Sequence, residues 1–302
     1  MASNAELTFH IIYTPGTFFY LRPFLFSLLE WSDCFFRLVT NGCAKEEREM
    51  VEAACRANRR LECRHLSPSG MAAKGSVLNL LQQAEKSRYF CCLDSDIFAV
   101  GPFMNRFTDG PGRHAAIFSA PHFLMTEKAK TMPAACPGAY GIHVNDPAGR
   151  CIGTTCFAIY DNQVLDRYIR GRGIDFSGTA WAQVPQGYRA AFSERGLRVK
   201  EYDSGKILNI CLSCDGASLL YRNAAELRHI GGFSFASRER PKKATRAIPR
   251  DQRADFFHEL MGNLFSGRPL PPIPDCSPGN LAKYQSIIAE IASLFEDFRS
   301  AL

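Results

Sequence analysis

The first 94 residues switch repeatedly between a strand pattern and a helix pattern, and this alternation constrains the fold more than anything else in the chain. Leu7-Thr8-Phe9-His10-Ile11-Ile12-Tyr13 is β-rich and stops at Thr14-Pro15-Gly16, a turn signal. A helical pattern follows from about Thr17 to Trp31. Phe35 to Thr40 reads as a second strand closed by Asn41-Gly42, and Ala44 to Ala57 is rich in the helix formers Glu, Arg and Ala. Leu61 to Leu66 reads as a short strand, Ser67 to Gly70 as a loop, and Ala72 to Ser87 carries Val77, Leu78, Leu81 and Ala84 at helical spacing. Tyr89 to Leu93 is a short continuous apolar run, as expected of a strand buried on both faces.

Strands separated by helices fold into an α/β sheet with mostly parallel strands and helices flanking it. Ligands of such sheets sit beyond the carboxyl ends of the strands. The corners after Tyr13, after Thr40 and after Leu93 therefore converge on one crevice, bringing Thr14, Asn41 and Asp94-Ser95-Asp96 together.

The rest of the chain is less regular. His114 to Ser119 and Cys156 to Tyr160 read as strands, Asn162 to Arg170 as a helix, and Leu197 to Glu201 and Ser218 to Tyr221 as short strands. Ala120 to Arg150 is rich in Pro and Gly and holds His122 and His143. Arg238 to Arg253 carries Arg238, Arg240, Lys242, Lys243, Arg246, Arg250 and Arg253 against Glu239 and Asp251. That run reads either as a solvated loop or as a lid over phosphates or a patch facing anionic lipid. Phe256, Phe257, Leu260, Met261 and Leu264 form a helical stripe, Pro269 to Pro274 a stiff linker, and Leu281 to Phe298 a final amphipathic helix. The final helix is expected to pack on the main domain, with a dimer or membrane-surface contact as the alternative.

Composition narrows the function. Of 302 residues, 46% are apolar and 22% charged, which fits a folded chain and not a disordered one. A net charge of +6 suits an anionic ligand and is too small to argue for nucleic acid. Twelve scattered cysteines do not form a small secreted disulfide framework. Cys211-Leu212-Ser213-Cys214 has metal-ligand spacing but no second pair, which argues against zinc. The N-terminus shows no basic start followed by an apolar stretch, and no run reaches the roughly 18 apolar residues of a spanning helix. These features predict a cytoplasmic chain, with peripheral membrane contact left open.

The strongest chemical signal is Leu93-Asp94-Ser95-Asp96-Ile97, two carboxylates one residue apart at the end of a buried strand. Magnesium and manganese prefer oxygen ligands, and such an ion bridges phosphates and neutralises a departing diphosphate. The plain alternative is a strand-end turn whose Asp side chains cap local backbone. The chain has no nucleophile elbow, no phosphate-loop lysine and no GxGxxG, which weakens hydrolase, NTPase and dehydrogenase readings.

Carried by that motif, the chain resembles the GT-A glycosyltransferases, whose nucleotide-diphosphosugar fold places a DxD after a strand. The resemblance implies a single GT-A catalytic domain over residues 1–235, followed by a basic flexible loop over 236–254 and a helical extension over 255–302 that packs on the domain. It implies that Tyr13 and Thr14 seat the nucleoside and that Lys74, on the helix before the DxD strand, approaches the base, ribose or diphosphate; Asn41, at the corner after Thr40, is the further donor-binding candidate. Arg228-His229-Ile230-Gly231-Gly232 resembles the segment that supplies a further metal ligand, so Asp94, Asp96 and His229 become the expected metal set. Gly231 and Gly232 let the backbone pass close to a phosphate. Asp175, in Asp175-Phe176-Ser177-Gly178-Thr179-Ala180-Trp181, resembles the general base that inverting members hold at a helix start; capping is its alternative role. The implied reaction moves a sugar from a UDP- or GDP-sugar to an acceptor hydroxyl with Mn2+ or Mg2+. A sugar-phosphate nucleotidyltransferase and a non-catalytic nucleotide-sugar binding protein are the rival readings.

Overall fold

Four parallel strands carry the N-terminal pattern: β1 (Thr8–Tyr13), β2 (Phe35–Thr40), β3 (Leu61–His65) and β4 (Tyr89–Asp94). Three helices connect them, α1 (Phe18–Glu30), α2 (Lys45–Ala57) and α3 (Lys74–Ala84). The computed structural model describes residues 7–66, 70–107, 110–119, 122–123, 146, 148–236, 252–276 and 278–301. Most of the basic run from Arg238 to Arg253 and of the Pro/Gly-rich stretch with His143 lies outside the described residues.

The later strands are β5 (Ile97–Ala99), β6 (Ala116–Phe118), β7 (His122–Phe123), β8 (Phe157–Asp161), β9 (Thr179–Ala180), β10 (Glu201–Tyr202), β11 (Leu219–Tyr221) and β12 (Leu227–His229). The main sheet has the order β11-β6-β8-β4-β1-β2-β3, and only β8 runs against its neighbours. From β1 the chain steps outward through β2 to β3, then crosses back to place β4 on the other side of β1. The order reverses between β1 and β4, so the crevice outside their carboxyl ends is the natural ligand seat. Ile12 pairs with Asp94 in that register, which puts the acidic turn directly at the reversal.

Alternate residues of each strand feed opposite cores. Cys91 and Leu93 of β4 join one, Phe90 and Cys92 the other, so the strand reads as continuously apolar. The first core is covered by α1, α8 (Gln252–Ser266) and α9 (Pro278–Ser300); Tyr284, Ile287, Ile291, Leu294 and Phe295 of α9 are buried there. The second is covered by α3, α4 (Asn162–Arg172), α5 (Gln186–Glu194) and α6 (Lys206–Cys214). Phe157 sits at the centre of the first core against Phe9 and Phe107, at 5.2 and 4.8 Å between ring centroids. Removing such a ring costs about 3–5 kcal/mol.

Two local features depart from the sequence expectation, and a third is a proline accommodated inside an expected helix. The strand expected at Leu197 to Glu201 is only β10, because Leu197 and Val199 bury their side chains without joining a ladder. Helices α5 and α6 carry no clear period in the sequence; α6 is buried almost all round. Pro23 lies inside α1, where its missing N–H leaves the Phe19 carbonyl without its helical donor. Arg22 Nε donates to that carbonyl at 3.3 Å, so the helix continues. No helix among the described residues is long and apolar enough to cross a membrane.

Candidate metal centre

β4 delivers Asp94 to the crevice, and its N–H is held by the Cys156 carbonyl at 2.8 Å. Ser95 and Asp96 turn the chain into β5. β12 then returns antiparallel along β5 with His229 opposite Ile97, and Ile230 N–H donates to the Asp96 carbonyl at 3.1 Å. A three-stranded ladder of β5, β12 and β7 therefore brings His229 beside the acidic turn.

His229 Nε2 lies 3.1 Å from Asp96 Oδ1 and 3.8 Å from Asp94 Oδ2. One ligand atom from each of Asp94, Asp96 and His229 lies within 4.8 Å of the others. A six-coordinate ion with ligands at about 2.1 Å separates neighbouring ligand atoms by roughly 3.0 Å and opposite ones by roughly 4.2 Å. The 3.1 Å His229–Asp96 separation matches neighbouring ligands and the 3.8 Å to Asp94 lies between the two values, while two carboxylate oxygens with one imidazole nitrogen form a donor set suited to Mn2+ or Mg2+. The residues present thus fit a divalent cation.

The remaining oxygens are committed. Asp96 Oδ2 accepts Phe233 N–H at 3.2 Å. Asp96 is 6% exposed; burial alone would raise its carboxyl pKa, but the His229 imidazole and the Phe233 amide hold it below the ordinary value. Gly231 and Gly232 have φ of +73° and +78°, and this double left-handed turn aims the Phe233 amide at Asp96 as α7 (Phe233–Ala236) begins. Asp94 Oδ1 is ion-paired to Lys74 Nζ. Burial pulls the Lys74 pKa down, but the Asp94 and Asp203 carboxylates outweigh it and leave it above its usual value.

Lys74 opens α3, and Gly75 beside it is packed so closely that a Cβ would lie 2.4 Å from the Phe176 carbonyl oxygen. Asn79 Oδ1 accepts Phe176 N–H at 2.9 Å, so the segment after Asp175 is fixed against the lysine's helix. Asp175 itself precedes a bend and β9, not a helix, and its Oδ1 accepts Ser177 N–H at 2.8 Å. Among the described residues no hydrogen bond or ion pair joins it to the acidic pair.

The nucleoside side of the crevice differs residue by residue. Tyr13 is 1% exposed and packs edge-on against Phe18, so its ring belongs to the core and only its backbone reaches the edge. Thr14 Oγ1 is buried with no hydrogen-bond partner, a hydroxyl left available at the end of β1. Asn41 spends both amide atoms on Ala72, accepting its N–H at 2.9 Å and donating to its carbonyl at 2.8 Å. It therefore shapes the approach to Lys74 from behind.

Two features escaped the sequence reading. Buried Glu47 of α2 accepts Gly16 N–H at 2.9 Å and Phe18 N–H at 2.8 Å, capping the start of α1 from another helix. Asp203-Ser204-Gly205-Lys206 turns into α6, with Gly205 at φ +73° and Lys206 Nζ donating to the Gly153 carbonyl at 2.8 Å. Lys206 is 2% exposed, and burial lowers its pKa to about 8. Cys214 accepts from Arg195 Nη1 at 3.1 Å, and Cys211 is buried.

No protein-family model matches the chain, and no curated protein matches it. Among solved structures it is similar to galactosyltransferase LgtC in complex with donor and acceptor sugar analogues, at 11% identity and a TM-score of 0.48 over 91% of this chain and 100% of that one. It is similar to mannosyltransferase PcManGT from Pyrobaculum calidifontis in complex with GDP-Man and Mn2+, at 8% identity and a TM-score of 0.46 over 98% and 86%. It is also similar to S. aureus TarS 1-349, at 12% identity and a TM-score of 0.40 over 76% and 62%. Likeness at this level assigns no activity, and the site's own geometry has to carry the functional reading.

Proposed function

We propose that the chain is a GT-A type glycosyltransferase that takes a sugar from a nucleoside-diphosphate sugar, UDP- or GDP-linked. Asp94, Asp96 and His229 would hold Mn2+ or Mg2+ against the donor's diphosphate. The observation that carries this reading is the convergence of those three donor groups at the β1/β4 reversal, within 4.8 Å of one another. When bound, the cation supplies Lewis-acid neutralisation of the departing diphosphate.

The chain's own residues do the rest. Lys74 places a second positive charge at the same point, released from Asp94 to a phosphate oxygen as the donor enters. Thr14 offers its unpartnered hydroxyl to the nucleoside end. Gly231 and Gly232 keep the backbone free of side chains beside Asp96. In the transfer, the acceptor oxygen bonds the anomeric carbon as the bond from that carbon to the diphosphate oxygen breaks, and the acceptor's proton passes to a carboxylate. Asp175 is the proposed acceptor of that proton, through the Oδ2 atom left free by its Ser177 bond. Asp203 is the rival carboxylate, because its charge already acts on Lys74. Comparing Asp175→Asn with Asp203→Asn separates them.

For the nucleotidyltransferase reading, the amides at the start of the first helix are the ready anion seat next to β1. Here Glu47 already occupies the Gly16 and Phe18 amides with a carboxylate, which argues against that use. Turnover separates the enzyme from a non-catalytic binding protein. With UDP- and GDP-sugars presented in turn, donor cleavage is expected in Mn2+ and is expected to vanish in excess chelator and in Asp96→Asn. Undiminished cleavage in chelator would refute the cation's part.

A further inference from the structure

We infer that Glu290, on the last helix, is a positioning residue for cation binding: through Arg228 it fixes the strand that carries His229. The inference rests on the metal reading of the Asp94, Asp96 and His229 cluster.

β12 is only three residues long, paired to the three residues of β5 on one side and the two of β7 on the other. So short a ladder holds its register weakly by itself. Successive side chains of a strand point to opposite faces, so Arg228 leaves the strand on the side away from His229. There its guanidinium meets Glu290 of α9 as a fork: Nε lies 2.8 Å from Oε2 and Nη2 lies 2.9 Å from Oε1. The third nitrogen, Nη1, donates to the Ala225 and Leu227 carbonyls of its own segment. One side chain therefore ties the backbone of β12 to the helix.

The pair suits that task. A two-bond fork fixes orientation as well as distance, which a single ammonium contact does not. The Arg228 and Glu290 side chains are only 18% and 22% exposed, so solvent screens the contact incompletely. The helix end of the tie is firm, because Ile287, Ile291 and Leu294 around Glu290 are buried in the core. A second tie runs parallel to it: the Phe233 ring stacks on His258 of α8 at 5.4 Å, while the Phe233 amide holds Asp96. Two metal ligands are thus steadied from the C-terminal helices.

The test uses the full-length chain and Mn2+ as probe. Mn2+ affinity, measured by electron paramagnetic resonance of the free ion, is expected to fall roughly tenfold in Glu290→Gln, the low end for outer-shell partners because the contact acts through backbone. The Mn2+ concentration for half-maximal activity is expected to rise in parallel, with kcat at saturating Mn2+ changed less. Arg228→Lys, which keeps the charge and loses the fork, is expected to show the same loss and decides the matter if Glu290→Gln does not fold. Exchanging the pair, with Arg228→Glu and Glu290→Arg together, is expected to restore part of the affinity. Asp166→Asn, which breaks an exposed Arg170 ion pair on α4, is expected to leave it unchanged. Wild-type Mn2+ affinity in folded Glu290→Gln or Arg228→Lys overturns this inference alone. A wild type that does not bind Mn2+ even with UDP or GDP present overturns the metal reading and this inference together.

Discussion

His229 Nε2 stands 3.1 Å from Asp96 Oδ1 across 133 positions of sequence. Neither residue reaches the other through its own local structure. Asp96 is placed by the turn that ends β4, and His229 by a strand that returns along β5. The contact is therefore a product of topology, and it is what converts a common acidic turn into a three-ligand cluster. Its precision depends on the turn after His229 and on the charges that share Asp94.

Replacing Gly232 by Ala tests the turn. A Cβ at φ +78° costs about 1–2 kcal/mol in backbone strain alone. Relief of that strain moves the Phe233 amide away from Asp96 Oδ2. Chemical denaturation is expected to show the stability loss, and Mn2+ titration a weaker site. A variant of wild-type stability and affinity would show that the left-handed turn is dispensable.

On the proposed reading, Lys74 and the cation would compete for Asp94. Replacing Lys74 by Met removes the competitor, so Mn2+ binding in the absence of donor is expected to strengthen several-fold. The same change removes a positive charge from the diphosphate, so donor KM is expected to rise about tenfold or more, the loss of a charge-assisted contact of roughly 1.5–3 kcal/mol. The two effects have opposite signs, and calorimetry with Mn2+ and steady-state kinetics with donor read them separately. Weaker Mn2+ binding in the variant would mean that Lys74 supports the carboxylate instead of occupying it.

Buried Lys206 gives a pH signature. Its folded pKa is lowered from 10.5 to about 8, so between those values the unfolded chain binds the proton that the folded chain has lost. Stability therefore rises with pH across that window, and below about pH 8 the contribution is flat and unfavourable. The gain is on the order of 2–3 kcal/mol for a fully buried amine. Urea denaturation from pH 7 to 10 is expected to show wild type gaining stability relative to Lys206→Met. Parallel pH profiles for the two proteins would show that Lys206 keeps an ordinary pKa.

Much of this was legible in the sequence, and the failures have physical reasons. β1 to β4 and α1 to α3 follow from local pattern: α3 from its helical spacing, α2 from its helix formers, and β4 from an apolar run buried on both faces. The acidic pair was legible because an apolar strand runs straight into it. Tyr13 sits at the expected corner, but its ring shares a strand face with Phe9 and Ile11, both core residues, and period two points it inward. Asn41 also lies at its expected corner, with its side chain consumed by Ala72. Glu47 was not legible, since nothing local marks a carboxylate that caps a different helix. The strand β12 is too short to show a period, so His229 was reached only by resemblance, and the fork between its neighbour Arg228 and Glu290 left no mark in the sequence.

Mn2+ titration of the wild-type chain against Asp96→Asn, by calorimetry with and without UDP or GDP, tests the central claim most directly. A single site is expected in the wild type, tightened by the nucleotide, and its loss is expected in a variant that keeps the native circular dichroism spectrum. Equal Mn2+ binding by the two proteins, or none by the wild type with either nucleotide present, would contradict it.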